Sequence, residues 1–104
     1  MALSQTLAEL QSSVGTEIHT SNWEPITQEM INEFGKATRD MQWIHVDPER
    51  AASESPFKTT VAHGYFTLSL YPMLRGLVDE SKPLFPGVKN VINYGINKLR
   101  FPGP

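Results

Sequence analysis

Apolar residues recur at helical spacing at the start of the chain and alternate like a strand close to its end. Near the start, their three- or four-residue spacing and a following glycine predict a short amphipathic helix. The positions are Leu3, Leu7, Leu10 and Val14, with Gly15 as the stop. Residues 16–20 are rich in β-prone side chains, and we expect a short strand there with Ile18 pointing inward.

A second helix is predicted over residues 27–38. Thr27 is a good N-cap, and Glu29 in the first turn interacts favourably with the helix dipole. Asp40 therefore comes just after the helix end, where the backbone can turn a side chain into a cleft. A further helix is expected to begin at Pro48, with Asp47 as its cap.

The most apolar helical pattern begins at Gly64. Its predicted buried face consists of Phe66, Leu70, Met73, Leu74 and Leu77. Pro72 lies in the interior of this pattern and should bend the helix. Residues 79–87 contain two prolines and predict a loop. Residues 88–101 have the alternation of apolar and polar side chains that is typical of a strand. The apolar positions before and after Gly95 fall on opposite faces, and a bulge near Gly95 would bring them to the same face.

Length, charge and composition limit the possible functions. A chain of 104 residues holds one domain, and its core is marginal unless subunits share it. The net charge of −2 without a basic run gives no support for a nucleic-acid partner, and we expect none. The chain has no cysteine for thiol catalysis, no signal-peptide pattern and no apolar stretch long enough for a bilayer. We expect a cytoplasmic, soluble protein with no membrane partner.

An acid and a base lie five residues apart after the second helix, at Asp40 and His45. A carboxylate and an imidazole can together hold and activate one water molecule. Gly64 opens the apolar helix, where an exposed main-chain N–H can stabilise a developing oxyanion. These parts suit the addition of water to a substrate. The structural alternative is that Asp40 only ends its helix and His45 is a half-buried loop residue.

A metal site is the competing chemical interpretation of this region. The candidate ligands His45, Asp47 and His63 lack the spacing of zinc sites, and no cysteine joins them. The chain also has no glycine-rich phosphate loop. We therefore expect no metal. His19, in the first predicted strand, is expected at the surface or at an interface.

Three segments resemble, in the same order and with similar gaps, the motifs of one enzyme family. They read DMQWIHVD at 40–47, AHGYFTLSL at 62–70 and NYGINKLRFP at 93–102. The chain resembles the MaoC-like dehydratases, the (R)-specific enoyl-CoA hydratases of the hot-dog fold, and the resemblance extends upstream to Trp23. The family often has Asn-Pro where this chain has Gln42-Trp43.

The resemblance implies an α+β hot-dog fold, in which a curved antiparallel sheet wraps around a long central helix, and a homodimer. A single domain over residues 1–104 would then comprise four parts. They are an N-terminal helix and first strand (1–22), a helix and catalytic loop (23–62), the central helix (63–79) and a strand (88–102). Members of the family usually continue with three more strands, so we expect the hot-dog domain to be C-terminally incomplete here.

The resemblance also implies a reaction, the reversible addition of water to a trans-2-enoyl-CoA, which gives an (R)-3-hydroxyacyl-CoA. Asp40 and His45 would be the catalytic pair that holds the water, and the Gly64 N–H would stabilise the enolate. The thioester itself makes C3 electrophilic, so no cofactor is expected. The residues expected to bind substrate or orient the water are Gln42, Trp43 and His63.

Two other functions stay open on the sequence. The chain could be a non-catalytic hot-dog fragment that acts as an interaction module or folds only in an assembly. It could also be a hot-dog thioesterase acting on the same CoA esters, but such enzymes typically carry their working carboxylate on the central helix. Residues 65–78 contain no Asp or Glu. The candidate contacts for CoA phosphates are Arg75, Lys82, Lys89, Lys98 and Arg100.

Overall fold

A computed structural model describes residues 2–104, which contain six helices and no strand. None of these helices combines the length and apolar character needed to cross a membrane. In chain order the helices are α1 (Ala2–Ser12), α2 (Gln28–Thr38), α3 (Trp43–Val46), α4 (Pro48–Glu54), α5 (Gly64–Ser69) and α6 (Tyr71–Arg75).

The chain divides into two compact units. One combines the N-terminal residues up to Asn22 with Tyr71–Asn97, and the other combines Trp23–Leu70 with Lys98–Pro104. In the first unit, α1 ends before Gly15, which has a φ of +86°, so the predicted helix and its stop are confirmed. The buried Thr6 hydroxyl of α1 donates a hydrogen bond to the Pro86 carbonyl at 2.7 Å.

In the second unit, α2 begins and ends close to the predicted residues. The Thr27 hydroxyl accepts a hydrogen bond from the Met30 N–H at 3.2 Å, as expected of an N-cap. Arg39 ends the helix in the left-handed conformation, with a φ of 61°. A Cβ at the buried Gly35 would lie 2.9 Å from the Asp40 carbonyl oxygen. The missing side chain therefore lets the main chain of Asp40 fold back against α2.

The predicted helix start at Pro48 is also confirmed. Pro48 is the first residue of α4, and the Asp47 carboxylate caps the helix by accepting the Arg50 N–H at 3.1 Å. Ala51 of α4 is fully buried, at 0% exposure. Together with Ile31 and Phe66 it forms the buried apolar core of this unit.

The helix predicted to run from Gly64 to Leu77 is instead two short helices. It begins at Gly64 as expected, but α5 ends at Ser69 and α6 covers only Tyr71–Arg75. Pro72 explains the interruption, because it has no N–H to donate to the Leu68 carbonyl and its ring crowds the preceding turn. The prediction of one long central helix over 63–79 is therefore corrected.

The two predicted strands are not formed over residues 2–104. Residues 16–20 and 88–102 have no regular secondary structure, so neither the bulge near Gly95 nor the antiparallel sheet is present. A strand must pair its main-chain N–H and C=O groups with a neighbour. Each of these segments lacks a neighbouring strand in the described chain, and apolar side chains such as Ile18 and Ile92 are exposed.

Candidate active site

Three titratable side chains come together in the second unit. Asp40 follows α2, His45 lies on α3, and His63 directly precedes α5. One ligand atom from each of the three lies within 4.8 Å of the others. The His45 and His63 rings stack with their centroids 3.9 Å apart. The structure thus brings together the acid and base that the sequence analysis paired, and it adds His63 to them.

The orientation of the His45 ring is determined by a main-chain carbonyl. Its Nδ1 lies 2.7 Å from the Val61 carbonyl oxygen. Because a carbonyl can only accept, Nδ1 carries the hydrogen, and in the neutral ring Nε2 keeps its lone pair. Val61 is itself held by the bond from its N–H to the Ile44 carbonyl at 3.1 Å. His45 therefore offers Nε2 as a base.

His63 is the most deeply placed of the three groups, with 3% exposure. Its Nε2 donates to the main-chain carbonyl of Asp40 at 2.8 Å, and its ring packs against Phe34 with centroids 4.9 Å apart. Within residues 2–104 its Nδ1 has no hydrogen-bond partner. Leaving a buried polar atom unpaired costs about 1–3 kcal/mol, so such atoms mark candidate functional sites. His63 contacts both Asp40 and His45.

The carboxylate of Asp40 is bound by the neighbouring Gln42. The Gln42 Nε2 donates to Asp40 Oδ1 at 2.9 Å. This hydrogen bond holds the pKa of Asp40 below its usual value, with smaller help from the Gln42 N–H and the two nearby histidines and against a partial desolvation that raises it. Asp40 is therefore a carboxylate at neutral pH. Gln42 was predicted to orient either the water or Asp40. In the structure its side-chain amide bonds the Asp40 carboxylate.

Replacing Gln42 by alanine is expected to raise the pKa of Asp40 towards its ordinary value, because the largest stabilising hydrogen bond to the charged form is lost. Carbon-13 NMR of the carboxyl group, followed through an acid titration, measures this directly. Gln5→Ala is the matched control, because Gln5 bonds Glu9 in the other unit. An Asp40 titration midpoint that stays in place in Gln42→Ala would contradict the assigned cause.

Trp43 and Asp47 lie outside this group of three. The Arg50 guanidinium covers the Trp43 ring at 4.6 Å from its centroid and also pairs with Glu54 at 2.6 Å. Asp47 is occupied as the cap of α4. A role for Trp43 in substrate binding remains a prediction.

The remaining polar candidates divide between the two units. The exposed His19 bonds the Leu74 carbonyl at 2.9 Å in the first unit. Of the five candidate phosphate contacts, the unit that holds Asp40 and His45 contains only Lys98 and Arg100.

Gly64 is in close contact with an aromatic ring from the end of the chain. As the first residue of α5 it leaves its N–H without an acceptor inside the helix. A Cβ at this position would lie 2.7 Å from Cδ2 of Phe101. The Phe101 ring also meets Tyr65 edge to face, with centroids 6.2 Å apart. A side chain at position 64 would therefore displace Phe101.

Gly64→Ala is expected to destabilise the protein by about 1 kcal/mol, the lower end of the range for overpacking, because Phe101 is 48% exposed and its ring can move aside. In a Phe101→Ala background the same change should be neutral or slightly stabilising, since alanine favours helix more than glycine does. Urea unfolding of the two single variants and the double variant measures the coupling. An equal loss in both backgrounds would mean that Phe101 is not the cause.

Gln28, a residue not predicted from the sequence, links three parts of this site. Its Nε2 donates to the His45 carbonyl at 2.7 Å and to Asn32 Oδ1 at 2.9 Å. Its Oε1 accepts from the Thr60 hydroxyl at 2.6 Å. A glutamine in the first turn of a helix is common and carries no local signal of such a role.

Asp40, His45 and His63 could together hold either a water molecule or a metal ion. One ligand atom from each of the three lies within 4.8 Å of the others. Each ring donates from one nitrogen to a main-chain carbonyl, at Val61 and Asp40, so in the neutral form the other nitrogen keeps a lone pair. That no metal is used stays a prediction.

Comparison with known proteins shows what the chain is similar to. Residues 9–104 match the family described as MaoC like domain. The chain is 51% identical over 100 residues to 3-hydroxyacyl-thioester dehydratase Z of Mycobacterium tuberculosis (strain H37Rv). The matched residues make up 96% of this chain and 63% of that protein. It is 46% identical over 99 residues to Nodulation protein N of Rhizobium meliloti, covering 95% of this chain and 60% of that protein. Nodulation protein N of Rhizobium leguminosarum bv. viciae is 42% identical to the chain over 99 residues, which make up 95% of this chain and 60% of that protein.

Proposed function

Because the chain belongs to the MaoC-like family, we propose that it catalyses the reversible addition of water to a trans-2-enoyl-CoA to give an (R)-3-hydroxyacyl-CoA. The relatives it matches include a protein named 3-hydroxyacyl-thioester dehydratase, and the chain spans 63% of that protein's length. The observation that carries the proposal is the convergence of Asp40 and His45, which lie within 4.8 Å of each other and of His63.

In the proposed hydration, one water lies between the Asp40 carboxylate and His45 Nε2. His45 accepts a proton from the water as the oxygen forms its bond to C3. The Nδ1–H bond to Val61 keeps the ring in the tautomer that can accept this proton. Asp40 accepts the second O–H of the water and stabilises the imidazolium that forms. The Gln42 hydrogen bond that lowers the pKa of Asp40 further favours the charged form.

The electrons of the C2–C3 double bond move towards the thioester as the C3–O bond forms. The Gly64 N–H donates to the thioester oxygen and stabilises the enolate. His45 then returns its proton to C2, which completes the net addition of one water and restores both side chains. Every proposed step uses only groups of this chain, the water and the substrate. No activating cofactor is invoked, because the conjugated thioester itself makes C3 electrophilic.

The hydration of crotonyl-CoA tests the proposal, since loss of the conjugated double bond is followed by ultraviolet absorbance. Chiral analysis of the product is expected to give the (R)-3-hydroxy thioester. Release of free CoA without hydration would instead indicate a thioesterase. No turnover in either assay by the folded chain would favour a non-catalytic fragment or interaction module and contradict the proposal.

We also propose that the active form is a homodimer with a hot-dog sheet. Residues 16–20 and 88–101 would become strands when further strands pair with them. In support, Ile92 is 81% exposed and the neighbouring Tyr94 is fully exposed, although both alternate in a strand-like pattern. The mass of the assayed sample by size exclusion with light scattering checks the dimer, and a monomer that is fully active would exclude it.

A further inference from the structure

The carboxamide of Gln28 has one determined orientation. It is half-buried at the start of α2, and the His45 carbonyl lies 2.7 Å from its nitrogen. A carbonyl cannot donate, so the NH2 group must face His45 and the Gln28 oxygen must face Thr60. The Thr60 hydroxyl is then the donor in the 2.6 Å bond between them.

This one side chain connects the two segments that hold His45. Its nitrogen holds the main chain of His45 itself. Its oxygen holds Thr60, whose neighbour Val61 accepts the hydrogen of the His45 ring at 2.7 Å. The same nitrogen also donates to Asn32 one turn further along α2, which anchors the amide to the helix. Movement of either segment would therefore change the direction in which His45 Nε2 points.

We propose that Gln28 is a positioning residue for His45. It touches neither substrate nor water, and it acts by keeping the His45 main chain and the acceptor of the His45 ring at a constant separation. The inference deepens the proposed hydratase function, and only its kinetic consequence rests on that function. Its structural consequence, one preferred tautomer of His45, can be measured without any turnover.

Gln28→Glu is the informative variant, because glutamate has nearly the same shape and replaces the NH2 donor by a second acceptor. An oxygen then faces the His45 carbonyl, and the bond at that position is lost. Gln11→Glu is the matched control, since Gln11 undergoes the same change in charge on the exposed surface of α1. Thr60→Val removes only the other half of the connection and leaves the charge unchanged.

Nitrogen-15 NMR of the imidazole rings reports the tautomers, and the chain has only three histidines to assign. We expect the Nδ1–H form of His45 to dominate in the wild type and in Gln11→Glu. Gln28→Glu should show a mixture of tautomers, and Thr60→Val should move in the same direction by a smaller amount. A His45 spectrum unchanged in both Gln28→Glu and Thr60→Val would overturn the proposal.

Steady-state hydration kinetics give the second readout. Misplacement of a catalytic group by about 1 Å costs on the order of a hundredfold in rate, so Gln28→Glu is expected to lower kcat by about ten- to a hundredfold. KM should change by less than about twofold, since Gln28 does not touch substrate. A lower melting temperature with an unchanged kcat and an unchanged His45 tautomer would show a merely structural role and overturn the proposal.

The two readouts separate failure of this inference from failure of the proposed function. If the wild type hydrates no enoyl-CoA but its His45 tautomer depends on Gln28, the hydratase proposal fails and the positioning role stands. If the wild type is active and Gln28→Glu matches it in kcat and spectrum, the positioning role fails alone. Should Gln28→Glu not fold by circular dichroism, Thr60→Val decides by the same two measurements.

Discussion

His45→Ala is expected to lower kcat for enoyl-CoA hydration by about a thousandfold or more. In the proposed mechanism the imidazole takes the proton from water and returns it to C2, and general acid–base catalysis of one step contributes about 10²–10⁴-fold. The measurement is steady-state hydration of crotonyl-CoA. KM should change little, because the lost interaction is made in the transition state.

Chemical rescue makes this prediction specific to the proton transfer. The alanine variant leaves space beside Asp40 into which added imidazole can bind, so free imidazole should restore part of the lost rate. His19→Ala is the control, since His19 is exposed and bonds only the Leu74 carbonyl. Near-normal hydration by His45→Ala without added imidazole would remove His45 from the mechanism.

Asp40→Asn is expected to produce a loss of similar size, about a thousandfold in kcat. Asparagine keeps the shape of the side chain but removes the negative charge that stabilises the imidazolium in the proposed mechanism. Its oxygen can still accept the Gln42 hydrogen bond seen at 2.9 Å, so the fold should be retained. Circular dichroism and the urea midpoint verify this before the rates are compared.

Asp47→Asn is the matched control for the charge. Asp47 caps α4 two residues after His45, and asparagine is an equally good N-cap, so this variant should keep both stability and activity. A loss of less than about tenfold in Asp40→Asn would show that the carboxylate does not assist the proton transfer. An equal loss in Asp47→Asn would point to a general effect of charge near the site.

Three helix starts and the proximity of Asp40 to His45 were predictable from the sequence. Thr27, the Asp47-Pro48 pair and Gly64 each mark a helix start in the structure. These signals act within one turn, because a cap bonds an N–H two or three residues away. Asp40 and His45 are five positions apart and separated only by the short connection into α3, so their proximity also follows from nearby residues.

The predictions that failed concern elements whose formation depends on distant partners. The alternating pattern at 88–102 predicts which side chains can share one face of a strand. A strand forms only when a neighbouring strand pairs with its main-chain N–H and C=O groups, and the pattern does not predict that neighbour. The Pro72 position was recognised as a bend, yet the helix is interrupted there outright. Its continuation would have required packing strong enough to offset the lost hydrogen bond.

What the sequence by itself determined is local: the helix caps, a distortion at Pro72, and a carboxylate and an imidazole close to each other. Only the tertiary structure decided which groups support that pair. The Gln28 bond to His45 crosses 17 positions, and the His63 bond to Asp40 crosses 23. Hydrogen bonds and ring stacking act over a few ångströms in space, so residues this far apart in the chain meet only after the backbone between them has folded.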